Sequence, residues 1–321
     1  MSAASNRRAD RLGRIVRNGS IWLVLLVLLG ISATLSDAFL SPVYLGNVVR
    51  QAAPIGIAAV GVTFVMILGM VDLSVGAIIS FAAVFCAVQM DGRPGNVATA
   101  LLLTLAVGAG LGAINGVIVA FSRASPFILT LGSALAFYGL TQIYSGGTAR
   151  GAIAPGFREF FNFRLAETLP VLALCFVATA LLAMLALALT RFGRSLYLIG
   201  SNPLAAEMSG LSLAGTTLAA YMLSGLLAAA GGIALLARSG VSSTFAGRGL
   251  EFDVLAAVVL GGTTFEGGRG GVAGTVAGVL VLFIAFNVVN IVGLNYNFQL
   301  VVKGLIIIAA SAGYMRLNQA G

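Results

Sequence analysis

Apolar residues fall along this chain in long blocks, separated by short interruptions that are either polar or rich in glycine. A helix needs roughly 20 apolar residues to cross a bilayer's hydrocarbon core. The blocks at 48–68, 97–121, 127–144, 170–189, 214–237 and 272–292 meet or approach that length, and shorter blocks at 21–35, 73–88, 252–262 and 298–314 complete the series. The pattern predicts an all-α polytopic membrane protein with about ten transmembrane helices. Residues 21–316 read as a single transmembrane domain, with 1–20 a basic segment before it. The block 252–262 is too short to span upright, which leaves a bent or re-entrant element open there and eight or nine full spans as the fallback.

Orientation follows from charge. Arg7, Arg8, Arg11, Arg14 and Arg17 precede the first block, and Arg191 and Arg194 directly follow the block ending at 189. Lys and Arg favour cytoplasmic loops. With the N-terminus cytoplasmic, alternating crossings bring the Arg191 loop back to the same side and leave the C-terminus cytoplasmic as well. The basic flank and short core of 21–35 resemble a signal peptide, but no small-residue cleavage site follows, so the block is read as a helix. In the outer loop 145–168, Arg150, Arg158 and Arg164 are diluted by Glu159 and Glu167. A short surface helix near 157–163 is expected there, either a landing site for an external partner or a solvated loop.

The longest inner interruption, 190–213, reads TRFGRSLYLIGSNPLAAEMSGLSL. Ser201 or Asn202 can cap a helix that Pro203 opens and Gly210 closes. That helix would stand outside the membrane, with Ala205, Ala206 and Met208 small or soft enough to enter a partner's groove and Glu207 as its charge. Together with GMVDLSVGA, SPFILTLGS and LEFDVLAAVVLGGTTFEGGRGGVAGT, this stretch resembles the membrane permease subunit of the ribose-type ATP-binding-cassette (ABC) sugar importers. The motifs stand in that family's order and cover nearly the whole chain.

The resemblance implies a coupling helix carried by Asn202, Pro203, Ala205, Ala206, Glu207 and Gly210, docking into a separate cytoplasmic ATPase. It also implies a periplasmic or extracellular sugar-binding protein, a second permease copy or close paralogue, and a multi-pass place in a bacterial inner membrane. The family commonly has two glycines where this chain has Gly200 and Ser201.

Composition narrows the chemistry. Apolar residues make up 59% of the chain and charged residues 9%, which excludes an ordinary soluble domain. The net charge of +8 would suggest nucleic acid in a soluble protein, but here it gathers in the N-terminal arginines, so no nucleic-acid partner is implied beside the membrane lipid. Histidine is absent, and Cys86 and Cys175 sit in apolar runs. No metal site, catalytic residue, redox motif or cofactor follows. Lys303 is the only lysine and is followed by Gly304 and Leu305, so the chain has no P-loop. A nucleophile paired with a base, as an intramembrane enzyme needs, is not visible.

Asp72 lies between two apolar blocks, where an ionisable group is costly. With Ser74 it could cap a helix beginning at Leu73, or it could contact a solute. Asn115, Asn287 and Asn290 lie in apolar runs, as interhelical hydrogen-bonding groups or as ligands. Asp72, Ser74, Asn115 and Phe127 are the candidates for a pathway or helix junction. No further membrane carboxylate is evident for a proton relay, which weighs against the rival reading, an ion-coupled secondary transporter. The run 261–271 reads as a tight turn between membrane elements, with a phosphate-binding loop as the alternative. Its Glu266 and Arg269 either stand exposed or face the ATPase.

Overall fold

Helices form where the apolar blocks stand, and the interest lies in where they stop. The computed structural model describes residues 21–293, 297–301 and 304–305. The basic segment 1–20 and most of the block 298–314 lie outside the described residues. The helices are α1 (Ile21–Leu35), α2 (Pro42–Ile67), α3 (Val75–Met90), α4 (Val97–Phe121), α5 (Pro126–Ser145), α6 (Phe157–Asn162) and α7 (Val171–Leu189). They continue as α8 (Arg191–Ser201), α9 (Pro203–Met208), α10 (Leu213–Ser239), α11 (Leu250–Leu260) and α12 (Val272–Ile291). The chain is thus an all-α polytopic membrane protein, with one two-stranded hairpin pairing β1 (Arg164–Leu165) with β2 (Leu169–Pro170).

Among the described residues, 6 helices are long and apolar enough to cross a membrane: α2, α4 with the 3-10 turn before it, α5, α7, α10 and α12. Two of them form the centre. The apolar window of α2 is 83% buried and those of α10 and α12 are 61% buried, whereas those of α4, α5 and α7 are only 28%, 22% and 33% buried. The exposed flanks carry Leu102, Leu131, Leu135, Ile143, Leu181 and Leu182, which suits contact with hydrocarbon. Helix α4 lies against α10 along Gly108, Gly112 and Gly116, spaced four apart so that they line one face. A side chain on Gly112 would run into the backbone of Tyr221 and Gly225, so the two helices approach at backbone distance.

The shorter blocks behave differently. Helix α3 has 16 residues and α11 has 11, both less than a full crossing. Asp72, just before α3, bonds Ser224 of α10, which by helical rise lies about 16 Å from the start of α10. From there α3 runs beside the second half of α10, through Ile79 and Ala82 against Gly232 to Met90 near Ala237. Helix α11 begins at the same level, because Gly247 and Glu251 pack on Gly76, and it runs the opposite way along α12. Two half-length helices therefore meet at their N-termini in mid-bundle. Each is preceded by irregular chain, residues 68–74 before α3 and residues 240–249 before α11.

Candidate functional site

Two places gather the residues that the sequence singled out. The first is one end of the bundle, built by α8, α9, the end of α2 and the loop 261–271. Thr190 accepts the Gly193 amide at 3.0 Å and so starts α8, whose Leu196 and Ile199 are buried while Arg191 and Arg194 are exposed. The chain then turns at Asn202, whose Oδ1 accepts the Ala205 amide at 3.0 Å, and Pro203 opens α9. Six residues are too few to hold a helix alone. Here the cap, the left-handed Gly210 at φ +80° and the burial of Ala206 hold it.

That burial corrects one expectation. Ala206 is 4% exposed and faces the protein, so it cannot enter a partner's groove. The outward face of α9 is made by Asn202, Pro203, Leu204, Ala205, Glu207 and Met208, with Leu204 and Met208 68% and 83% exposed. Leu204 was not anticipated, since a six-residue helix shows no period that tells its faces apart.

This end is fastened to the central helix. The Gly268 amide donates to Ile67 O at 2.8 Å, and a side chain on Gly200 would collide with both groups. Tyr197 donates its hydroxyl to Gly270 O at 3.0 Å, and burial raises that phenol above its ordinary range. The run 261–271 is therefore a tight turn packed on α8, with Glu266 and Arg269 exposed.

The second place is the junction before α3. Helix α3 starts at Val75, not Leu73, and its N-cap Ser74 makes no side-chain cap bond. Asp72 does not cap the helix. Its Oδ1 accepts the Ser74 amide at 3.0 Å and the Ser74 hydroxyl at 2.6 Å, and its Oδ2 accepts the Ser224 hydroxyl at 2.8 Å. Asn115 donates from Nδ2 to Ser74 Oγ at 2.7 Å, so the candidates Asp72, Ser74 and Asn115 come together here. Phe127 does not join them: it is 50% exposed, one turn away on α5. Thr130 takes that role, accepting the Leu73 amide at 3.1 Å and donating its one proton to Pro126 O at 2.9 Å.

Tyr221 adds a hydroxyl bond to Val71 O at 2.9 Å, and Ser80 accepts the Gly247 amide at 2.8 Å. Irregular backbone away from water must have its polar groups satisfied. Side chains from α3, α5 and α10 do that here. Further carboxylates, overlooked in the sequence, lie near: Asp253 is buried, and Glu251 accepts the Gly249 amide at 3.0 Å close to Tyr138. No cluster of His, Cys, Asp and Glu among the described residues could hold a metal.

Comparison with known proteins places these features in a lineage. Residues 44–311 match the family described as branched-chain amino acid transport system / permease component. The chain is 37% identical over 296 residues to the ribose import permease protein RbsC of Escherichia coli (strain K12), covering 90% of each chain. It is 37% identical over 290 residues to RbsC of Bacillus subtilis (strain 168), again covering 90% of each. To the galactose/methyl galactoside import permease protein MglC of Escherichia coli (strain K12) it is 33% identical over 318 residues, covering 92% of this chain and 94% of the other. No solved structure matches.

Proposed function

We infer the following from one premise: this chain belongs to the family of branched-chain amino acid transport system permease components. It is the permease subunit of a sugar ABC importer, and not itself an enzyme. The family description names amino acids, but the relatives matching over nine tenths of the chain are named for ribose and galactose. A monosaccharide or closely related polar solute is therefore the cargo. An external binding protein delivers it, and ATP hydrolysis in a separate cytoplasmic subunit drives the change of access.

The observation that carries the coupling role is the outward face of α9, where Leu204 and Met208 stand exposed beside Glu207 on a helix fastened to the end of α2. An apolar pair with one charge suits insertion into a groove of the ATPase. Movement of that subunit then passes through Gly200 and Gly268 to Ile67, and so into the most buried helix of the bundle. In this reading the full topology has about ten crossings with both termini cytoplasmic, in a bacterial inner membrane, and a second permease copy completes the pathway. The polar junction at Asp72 serves as a helix junction that keeps α3 in place.

The test is reconstitution with the ATPase and binding protein, measuring ATP hydrolysis against a panel of monosaccharides. Stimulation by one sugar and its binding protein is expected. Hydrolysis indifferent to every sugar and binding protein would sink the reading.

A further inference from the structure

The loop 145–168 and the adjacent ends of the two central helices enclose a hollow of about 570 Å³ that the transport scheme leaves without a task. Arg50 of α2, Arg158, Glu159 and Asn162 of α6, Arg164 of β1 and Gly240 beyond α10 line it. Three guanidinium groups thus stand against one carboxylate. Arg238 is close by, donating to Gln51 O at 3.1 Å.

The partners of these arginines are neutral. Arg50 donates to Asn162 Oδ1 at 2.6 Å, Arg164 donates to Asn47 Oδ1 at 2.8 Å, and Asn162 in turn donates to Ala237 O at 3.1 Å. Amides hold the guanidinium groups in place without offsetting their charge. Among the described residues no ion pair within 4 Å joins Arg50, Arg158 or Arg164 to a carboxylate. Arg158 lies over Gly240, exposed at the rim.

The level of the cluster matters. From Ile67 back to Arg50 the helical rise gives about 25 Å, close to the roughly 30 Å thickness of a hydrocarbon core. The hollow therefore sits at the outer boundary of the membrane, where arginines run against the usual cytoplasmic bias. It opens among loops above α2 and α10, the central helices, whereas the flanks exposed to hydrocarbon belong to α4, α5 and α7. An anion reaching it comes through water. Phe160 and Phe163, 61% and 60% exposed, stand beside the charged centre, and aromatic residues with arginine are enriched where interfaces bind most strongly.

We propose that this hollow seats a carboxylate-bearing projection of the external binding protein. The proposal rests on the importer reading and adds to it the patch of this chain that receives the partner. Arg158 and Arg164 meet the incoming carboxylates, and Arg50 and Arg238 deepen the positive potential beneath them. Complementary charge at such a site mainly accelerates encounter and selects the partner.

The experiment uses the assembled importer in lipid discs, with its sugar-loaded binding protein as the probe and a short oligoglutamate peptide as competitor. Arg158→Glu is the first variant, because that side chain shows no hydrogen bond among the described residues. Arg164→Gln is the second. Wild type should bind the probe with an association rate that falls as salt rises, and oligoglutamate should compete. Arg158→Glu should slow association about tenfold and flatten its salt dependence, while basal ATP hydrolysis, which reports an intact complex, stays unchanged. Arg158→Lys should restore much of the rate.

Wild-type association in both Arg158→Glu and Arg164→Gln at every salt concentration would overturn the proposal. So would variants that keep the binding protein but lose a dependence on phosphatidylglycerol, which would make the hollow a lipid site. Failure of the importer reading looks different: wild type itself would then show no binding-protein-stimulated hydrolysis.

Discussion

Ser224, midway along α10, donates its hydroxyl to the carboxylate of Asp72 at 2.8 Å, joining residues 152 positions apart in the chain. The bond ties the irregular segment before α3 to a central helix. Asp72 accepts three hydrogen bonds, and in a buried site each group left without a partner costs about 1–3 kcal/mol. Asp72→Asn keeps one acceptor oxygen, and its amide can donate to Ser224, whose hydroxyl also accepts. Asp72→Leu strands Ser74 and Ser224 together. Asp72→Leu should thus lower thermal stability in detergent well below that of Asp72→Asn, and uptake should follow stability. An Asn variant that is fully stable yet inactive, with uptake that collapses with the proton gradient at constant ATP, would show the charge itself at work.

The two alanines of α9 should separate cleanly. Ala205→Trp, on the exposed face, should leave the permease stable but abolish sugar-stimulated ATP hydrolysis, and Glu207→Lys should weaken it. Ala206→Trp forces a large ring into a filled site and should destabilise the fold by about 1–3 kcal/mol. Thermal unfolding alongside pull-down of the ATPase distinguishes the two outcomes.

Capping gives a milder test of the same helix. Asn202→Ala removes the bond to the Ala205 amide, a loss of about 1 kcal/mol. Asn202→Asp and Asn202→Ser should restore coupling. Equal activity in all three variants would show that α9 is set by its neighbours alone.

Glycines on α4 should differ by position. Gly112→Ala places a methyl against the backbone of Tyr221 and Gly225, so α4 and α10 must move apart, at about 1–3 kcal/mol. Gly110→Ala meets nothing within 4 Å and should be neutral or slightly stabilising, as Ala favours helix over Gly. Melting temperatures of the two purified variants check the contrast.

The isolated chain should bind no nucleotide. Its single lysine lacks the glycine-rich loop before it and the Ser or Thr after it. Saturable binding of ATP to the partner-free protein would contradict the division of labour proposed above.

What the sequence disclosed follows from what is local. Long apolar blocks marked the long helices because each block exceeds any other use for such a run, and Asn202, Pro203 and Gly210 marked α9 because a cap, an opener and a closer act within a few residues. The polarity of Asp72, Ser74 and Asn115 in apolar surroundings was legible, though not that they meet. Their partners were not. Thr130, Tyr221 and Ser224 are ordinary members of helical runs until the fold brings them to the segment 68–74. The shortness of block 252–262 already pointed to α11 as less than a full span, but the start of α3 in mid-bundle was hidden, because an apolar run reads the same whether it crosses fully or stops midway. Asp253 and Glu251 were overlooked since they open an apolar block and so resembled a loop end.

The burial of α2 bears on how the protein is made. The helix stands near the beginning of the chain, yet the helices that wall it, α7, α10, α11 and α12, are all synthesised later. On leaving the ribosome α2 therefore has only lipid and its immediate neighbours for company, and its mean hydropathy of 1.6 over the best window suits that first residence. Maturation then exchanges acyl chains for protein around Gly46, Gly56 and Gly61, where later-made Thr168, Phe176 and Ser224 come into close approach. A truncation ending at the close of α5 would insert α2 but leave it clad in lipid, exposing glycine faces shaped for neighbours that never arrive.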